Sequence, residues 1–307
     1  MTNLPQALPV PIARSRVRKS QAASRAKNVK TLRAVGVNVL ALLVAFVTLF
    51  PILWMISTAF KPQTEIASLT PHLAPLHPTW TNFHAAMSGA GTGYSFWSFA
   101  KASLFVTVGS VVFSAVLSLL AAVAVARFRF RFRTSFLVML LVVQMLPQQA
   151  LVIALFVDFR NLNLLDSLSA LLVLYTAFAL PISVWMLRNF VATVPKDLEE
   201  AAAIDGATPW RVFWRILFPL VAPGLVATSV FSFIFAWNEF TFALTFLGVD
   251  YARYTLPLYV PFFFGRGFVN WGAIMATSVL YTIPPVVFFM IVQRRMASGL
   301  TAGAVKG

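Results

Sequence analysis

The chain has 307 residues, 59% of them hydrophobic and only 11% charged, with a mean hydropathy of +0.82. Soluble domains carry about 25% charged residues, so composition alone excludes a water-soluble globule and points to an integral membrane protein. There is no cysteine, which removes disulfides, thiolate metal sites and cysteine nucleophiles, and the formal charge of +15 has to be explained by its placement.

Residues 1–34 hold eight basic side chains, Arg14 to Arg33, and no acid. A cleavable signal peptide has a shorter charged region and a small-residue cleavage site soon after its apolar core. This arm fits neither feature and is expected to stay in the cytoplasm, disordered or lying on anionic lipid. It has no aromatic residue to stack on bases, which argues against nucleic acid.

Six apolar stretches follow within 35–293, near residues 35–60, 102–126, 134–157, 167–187, 221–247 and 268–292. Each reaches the ~20 residues that a spanning helix requires. The predicted fold is therefore all-α integral membrane with six transmembrane helices. With the N-terminus inside, segments 1–34, 127–133, 188–219 and 294–307 are cytoplasmic and carry nineteen of the 24 lysines and arginines. The outer side keeps Lys61, Lys101, Arg160, Arg253 and Arg266. That asymmetry follows the positive-inside rule, so the basic charge is topological and both termini are expected inside.

The first outer loop, 61–101, mixes Pro and Gly with Trp80, Tyr94, Phe96 and Trp97. Its histidines, His72, His77 and His84, are spaced as no helical or strand ligand pair would be, so no metal site is assigned. Residues 127–133 alternate arginine and phenylalanine. A strand would put the arginines on one face, but a clamp at the inner headgroups explains the pattern more simply. Inside the third stretch stand Gln144, Gln148 and Gln149 around Pro147, and inside the fourth Tyr175 and Thr176. Intramembrane polar groups face a pathway or another helix, and for the glutamines the interhelical reading is preferred.

The polar segment 188–219 reads as a helix–turn–helix at the membrane surface. Thr193 and Pro195 mark a helix start, and Asp197, Glu199 and Glu200 place negative charge at its positive end. Gly206 stands where a helix takes a left-handed C-terminal residue. Thr208 and Pro209 open a second helix, whose apolar stripe is Trp210, Phe213, Trp214 and Leu217, and Pro219 is expected to end it. Glu200-Ala201-Ala202, then Gly206, then Ile216 and Pro219 at fixed spacing resemble the EAA loop of ABC-importer permeases. Phe218 replaces the leucine usual there, one apolar residue for another. The resemblance implies that Glu200, Ala201, Ala202, Asp205, Gly206, Ile216 and Pro219 form the coupling helix that docks on a separate ATPase subunit. ATP and Mg would be bound there, with no cofactor on this chain.

The fifth stretch contains Trp237-Asn238-Glu239, with Phe240 to Leu247 continuing it. A helix starting near residue 221 would put Asn238 ~25 Å along its axis, beyond the middle of a ~30 Å hydrocarbon core. A carboxylate at that depth needs a wet cavity or a partner. Asn and Glu suit hydroxyl groups and an indole can stack on a sugar ring. Sugar contact by Trp237, Asn238 and Glu239 stands level with interhelical bonding, and Tyr175 is assigned with them to the substrate pathway. The run is similar to one common in the carbohydrate-importing branch of the permease family. The aromatic outer segment 248–267 is expected to meet an extracytoplasmic binding protein through Tyr251, Tyr259, Phe263 and Arg266. The end, 294–307, reads as a flexible polar tail. It is similar to the tail of the maltose-type second permease, which implies ATPase contact by Gly299, Thr301 and Gly303.

No G-x-x-x-x-G-K-[ST] phosphate loop occurs, nor a convergent catalytic set, so no catalytic residue is assigned. The reading is a non-enzymatic permease subunit in the cytoplasmic membrane of a bacterium or archaeon. It would pair with a second permease, two ATPase subunits and a sugar-binding protein to import a di- or oligosaccharide. The alternatives are a permease for another polar solute such as a glycerol phosphate, and a membrane-embedded transferase, for which Glu239 alone supplies an intramembrane acid.

Overall fold

The computed structural model describes residues 12–89, 93–248, 250–265 and 268–304. Its helices are α1 (Ile12–Ala59), α2 (Gln63–Ile66), α3 (Thr81–Met87), α4 (Phe96–Arg127), α5 (Arg133–Met145), α6 (Gln148–Asn161) and α7 (Leu168–Thr193). They continue as α8 (Asp197–Ile204), α9 (Pro209–Val212), α10 (Phe218–Asn238), α11 (Thr241–Phe246) and α12 (Trp271–Ala304). A π-helical turn, Phe213–Leu217, joins α9 to α10. Before α12 lie short 3₁₀ turns and an antiparallel pair, β1 (Phe264–Gly265) and β2 (Phe268–Val269). Among the described residues, five helices are long and apolar enough to cross a membrane, and α5 with α6 makes a sixth if that pair is one span.

Backbone contacts divide the chain into two units, 1–55 and 56–307. In the first, α1 begins at Ile12, so the described part of the basic arm is helical rather than disordered. Residues 12–35 contain neither Pro nor Gly and are rich in Ala, Arg and Lys, which favour helix. Its apolar side chains, Val37 to Leu53, are exposed, and Phe46, Phe50 and Trp54 stack along one face at i, i+4 spacing.

In the second unit, small residues set the approach of α4, α7 and α10. Ser103, Thr107, Ser110, Ser114, Ser118 and Ala122 fall on one buried face of α4. Ser110 donates to the Leu172 carbonyl at 3.2 Å, and Ser114 and Ser183 lie 3.2 and 3.3 Å from Ser232. A Cβ on Gly109 would stand 2.2 Å from Leu172, and one on Gly224 would stand 2.3 Å from Phe190. Lipid tails are as apolar as leucine, so close backbone approach and interhelical hydrogen bonds hold such helices together.

The first outer loop is also tied down. Asn82 Nδ2 donates to the carbonyls of Ala59 (3.0 Å) and Lys61 (2.7 Å), Lys61 Nζ donates to the His72 carbonyl, and Glu65 accepts from Leu76 N at 3.0 Å.

Four expected boundaries move. The third span breaks at Leu146, where α5 and α6 meet at 98°, because the ring of Pro147 pushes the residue before it to extended backbone (ψ 126°). The fourth helix runs on to Thr193, so Thr193 and Pro195 do not open the next one. The fifth helix ends at Asn238 instead of Leu247. The sixth continues to Ala304, making the backbone helical through Gly299, Thr301 and Gly303 where a flexible tail was expected.

Candidate functional site

The 188–219 segment forms the expected two-part turn with sharper geometry than the sequence suggested. α8 closes in a left-handed cap: Gly206 has φ +79°, its N–H reaches the Ala203 carbonyl (3.1 Å), and Ala207 N reaches Ala202 (2.9 Å). A side chain at Gly206 would meet open space, so backbone conformation alone demands glycine there. Thr208 Oγ1 then accepts from Arg211 N at 3.4 Å and Pro209 stands in the first turn of α9.

Pro219 does not end this second helix. The π turn carries the chain through it, with Phe218 N reaching back five residues to Phe213, and α10 starts without a stop. A proline inside a helix lacks a donor and its ring crowds the carbonyl four residues back. Widening the preceding turn relieves the crowding. Trp210, Phe213, Trp214 and Phe218 stack in sequence along this stretch, with Leu217 buried beneath them.

α8 itself buries no side chain. Glu200, Ala201 and Asp205 are exposed and Ala202 and Ile216 are half-buried. At the turn, Ile204 is 87% and Trp210 70% exposed. Large apolar groups held this far out on a polar loop mark a surface that something else covers. Glu199, in contrast, points back and pairs with Arg127 at the end of α4, Oε1 to Nε 2.7 Å. Of the remaining arginines of the alternating run, Arg129 and Arg131 stay exposed, as do Phe128, Phe130 and Phe132 on irregular backbone, while Arg133 opens α5 and is half-buried.

The second predicted cluster is built at the break between α10 and α11. Glu239 takes extended backbone (ψ 124°), and its carboxylate accepts from Phe242 N (2.8 Å), Ala243 N (3.0 Å) and Tyr175 Oη (2.6 Å). It caps α11 and ties it to α7, so the acid finds its partner within the chain rather than in a wet cavity. Tyr175 and Trp237 are each 1% exposed. The Trp237 indole donates to the Tyr281 carbonyl at 3.3 Å and stacks between Phe233 and Tyr281. Asn238 alone of the four faces out, with Oδ1 accepting from Tyr281 Oη at 2.9 Å and Nδ2 bonded to Ile234 O. Gln144 and Gln149, for which interhelical bonding was preferred, are exposed beside the α5–α6 bend and make no hydrogen bond to another helix among the described residues.

The outer segment 248–267 is largely folded inward. Tyr259 and Phe263 are buried, and Tyr259 stacks on Phe99 (4.6 Å) and donates to the Ala86 carbonyl at 2.6 Å. Burial pushes its phenol up to about 12, so it remains a donor. Tyr251 and Phe264 are the exposed rings, and Arg266 lies outside the described residues. The density of rings in this segment therefore builds core among the described residues.

Residues 114–302 match the model of a family described as the binding-protein-dependent transport system inner membrane component. The chain is 43% identical to the diacetylchitobiose uptake system permease protein DasC of Streptomyces coelicolor, over 88% of this chain and 96% of that one. It is 36% identical to the trehalose/maltose transport system permease protein MalG of Thermococcus litoralis, over 87% and 95%. Among solved structures, a chain of a bacterial ABC transporter that imports the polysaccharide alginate shares the fold, with a TM-score of 0.73 and 21% identity over 86% of this chain and 96% of its own.

Proposed function

We propose a function from one premise, that the chain belongs to the family of binding-protein-dependent transport system inner membrane components. It is a multi-pass permease subunit of the cytoplasmic membrane and not an enzyme, and its partners include an ATPase and an extracytoplasmic binding protein. Its cargo is a di- or oligosaccharide, and it forms half of a heterodimeric channel with a second permease, above two ATPase subunits that hold ATP and Mg. Two relatives named for sugar uptake, similar over nearly their whole lengths, support the cargo.

The observation that carries the mechanism is the exposed knuckle at Gly206. Ile204 and Trp210 stand free on either side of a turn that the left-handed glycine and the Thr208 cap hold rigid. This knuckle seats in the ATPase subunit, with Glu200, Ala201, Ala202 and Asp205 on the approaching helix and Ile216 and Pro219 carrying displacement straight into α10. Because the π turn makes α9 and α10 one continuous element, motion at the knuckle moves the fifth span without crossing a loop. Helix Gly299–Ala304 extends α12 toward the same ATPase side, and Tyr251 offers an exposed ring to the binding protein. Asn238 faces the pathway, and Glu239, Tyr175 and Trp237 hold it in register.

The test is reconstitution of the complete transporter in vesicles with its binding protein loaded from a panel of sugars. Sugar-dependent uptake and stimulated ATP hydrolysis are expected. Stimulation by a glycerol phosphate and by no sugar would transfer the chain to the other solute class.

A further inference from the structure

Arg127 opens the alternating arginine run, yet it does not behave as a headgroup arginine. Its side chain is 9% exposed, while Arg129 and Arg131 face out. One guanidinium reaches two points on the polar loop: Nη2 donates to the Val194 carbonyl at 2.9 Å, and Nε lies 2.7 Å from Glu199 Oε1. Those points bracket the linker 194–196, the hinge between α7 and α8. Val194 is buried in the packing of Leu119, Ala122, Leu187, Val191, Leu217 and Val221, which fixes one side of the bracket. Glu199 lies on α8, which has no buried residue, so the other side is held by charge rather than by core packing.

The space behind α8 makes that contact decisive. A cavity of about 390 Å³ separates the end of α4 from the loop, bordered by Val123, Arg127, Glu199, Ala203, Val212 and Phe213. Across it no apolar side chain of α8 packs down. Among the described residues, the Arg127–Glu199 pair is the one ion pair that an α8 side chain makes. An element that puts no side chain into the core, joined to the body at its two ends and pinned to α4 by this ion pair, can tilt about that pair without breaking core packing.

We infer that Arg127 and Glu199 are a tether that sets the tilt of α8 from the end of α4, making Arg127 a positioning residue for coupling. This rests on the permease reading above. In that role a movement of α8 is shared between two spans: directly into α10 through the π turn, and into α4 through the guanidinium. The extended guanidinium matters, because it bonds a carbonyl through Nη2 while bringing its charge to the carboxylate, where lysine would offer one point charge.

A charge-reversal cycle in the assembled, reconstituted complex tests it. Arg127→Glu and Glu199→Arg should each lower binding-protein-stimulated ATP hydrolysis and uptake by roughly five- to tenfold, the low end of usual coupling energies. The double reversal should recover at least half of the activity, and Arg127→Lys should fall between. Wild-type coupling in both single variants, or a double no better than the worse single, would overturn the tether. Should the reversals not accumulate, Arg127→Gln, Glu199→Gln and their combination serve the same cycle, and strictly additive losses overturn it. Amide hydrogen exchange over 197–204 gives a readout that needs no substrate. It should rise in each single variant and fall back in the double, and unchanged exchange counts against the tether. Rescued exchange in a complex that no sugar stimulates would instead keep the tether and reject the cargo.

Discussion

Glu199 and Glu239 occupy similar local positions, each at the start of a short helix, and meet opposite surroundings. Glu239 is 9% exposed and satisfied three times over by Phe242 N, Ala243 N and Tyr175 Oη. Glu199 sits on a helix with no buried residue and has a single charged partner across a cavity. The two helix breaks differ in the same way. The one at Glu239 is complete within the chain and behaves as core. The one at Gly206 holds its shape by backbone geometry while leaving Ile204 and Trp210 uncovered, as a part shaped for a partner does. Acid at a helix start is thus no guide to role until the number of its partners is known.

The largest expected effect lies at the buried break. Glu239→Ala leaves two backbone N–H groups and a phenol without acceptors, at about 1–3 kcal/mol each, so the chain should lose several kcal/mol and accumulate poorly. Tyr175→Phe removes one of the three bonds and should cost less than half as much. Denaturant or thermal unfolding of the purified protein measures both, and equal, small losses would erase the contrast with the exposed break. Next in size is Gly224→Ala, whose new methyl must displace the Phe190 ring 2.3 Å away. Overpacking of this kind costs about 1–3 kcal/mol. It should weaken α7–α10 packing with no change at the knuckle, which co-purification with the ATPase can separate from unfolding.

Gly206→Val should move stability least among the glycine changes and coupling most. The left-handed backbone strains a β-branched residue by about 1–2 kcal/mol, but the added atoms meet open space. The expected result is an intact, folded permease whose ATPase stimulation is lost. Full stimulation in Gly206→Val would mean the knuckle does not need its shape, and the contrast between an inward and an outward break would fail. Glu200→Ala, exposed and without a partner side chain, should leave unfolding unchanged and lower coupling alone.

What could be read from the sequence divides along the same line. The Gly206 cap and the Thr208 cap depend on residues within a few positions of each other, and each appears where local chemistry puts it, whereas the apolar stretches keep their places but not their ends. Pro147 carries a weak signal, since a proline disfavours helix at the residue before it, yet Pro181 and Pro223 stand inside unbroken helices, so the residue type alone does not announce the bend. Pro219 misled because a proline reads as a stop unless the turn before it widens, and nothing in FWRIL announces a π turn. The partners of Glu239 and Arg127 stand 64 and 72 positions away, at Tyr175 and Glu199, and only the packed helices bring them together. The serine face of α4 was visible at spacings of three and four, and would have identified the helix that packs most closely.

A small effect on folding, and the finest test of the comparison, is expected at Asn238. It shares the break with Glu239 yet turns outward, so it is the point where a complete core meets a surface. Its Oδ1 accepts from Tyr281 Oη, which also serves the Trp237 carbonyl, each at 2.9 Å. Removing the amide therefore leaves the tyrosine with an acceptor, and Asn238→Ala should cost less than about 1 kcal/mol of stability. Its loss should still lower sugar uptake, because donors and acceptors for hydroxyl groups are what an apolar wall lacks. Tyr281→Phe separates the alternatives. It frees Asn238 without deleting it, so a pathway role predicts altered apparent sugar affinity with uptake retained. A purely structural role predicts instead that Asn238→Ala and Tyr281→Phe lower stability together and leave transport per folded complex unchanged. Uptake measured per assembled complex, beside unfolding of the same preparations, decides between them.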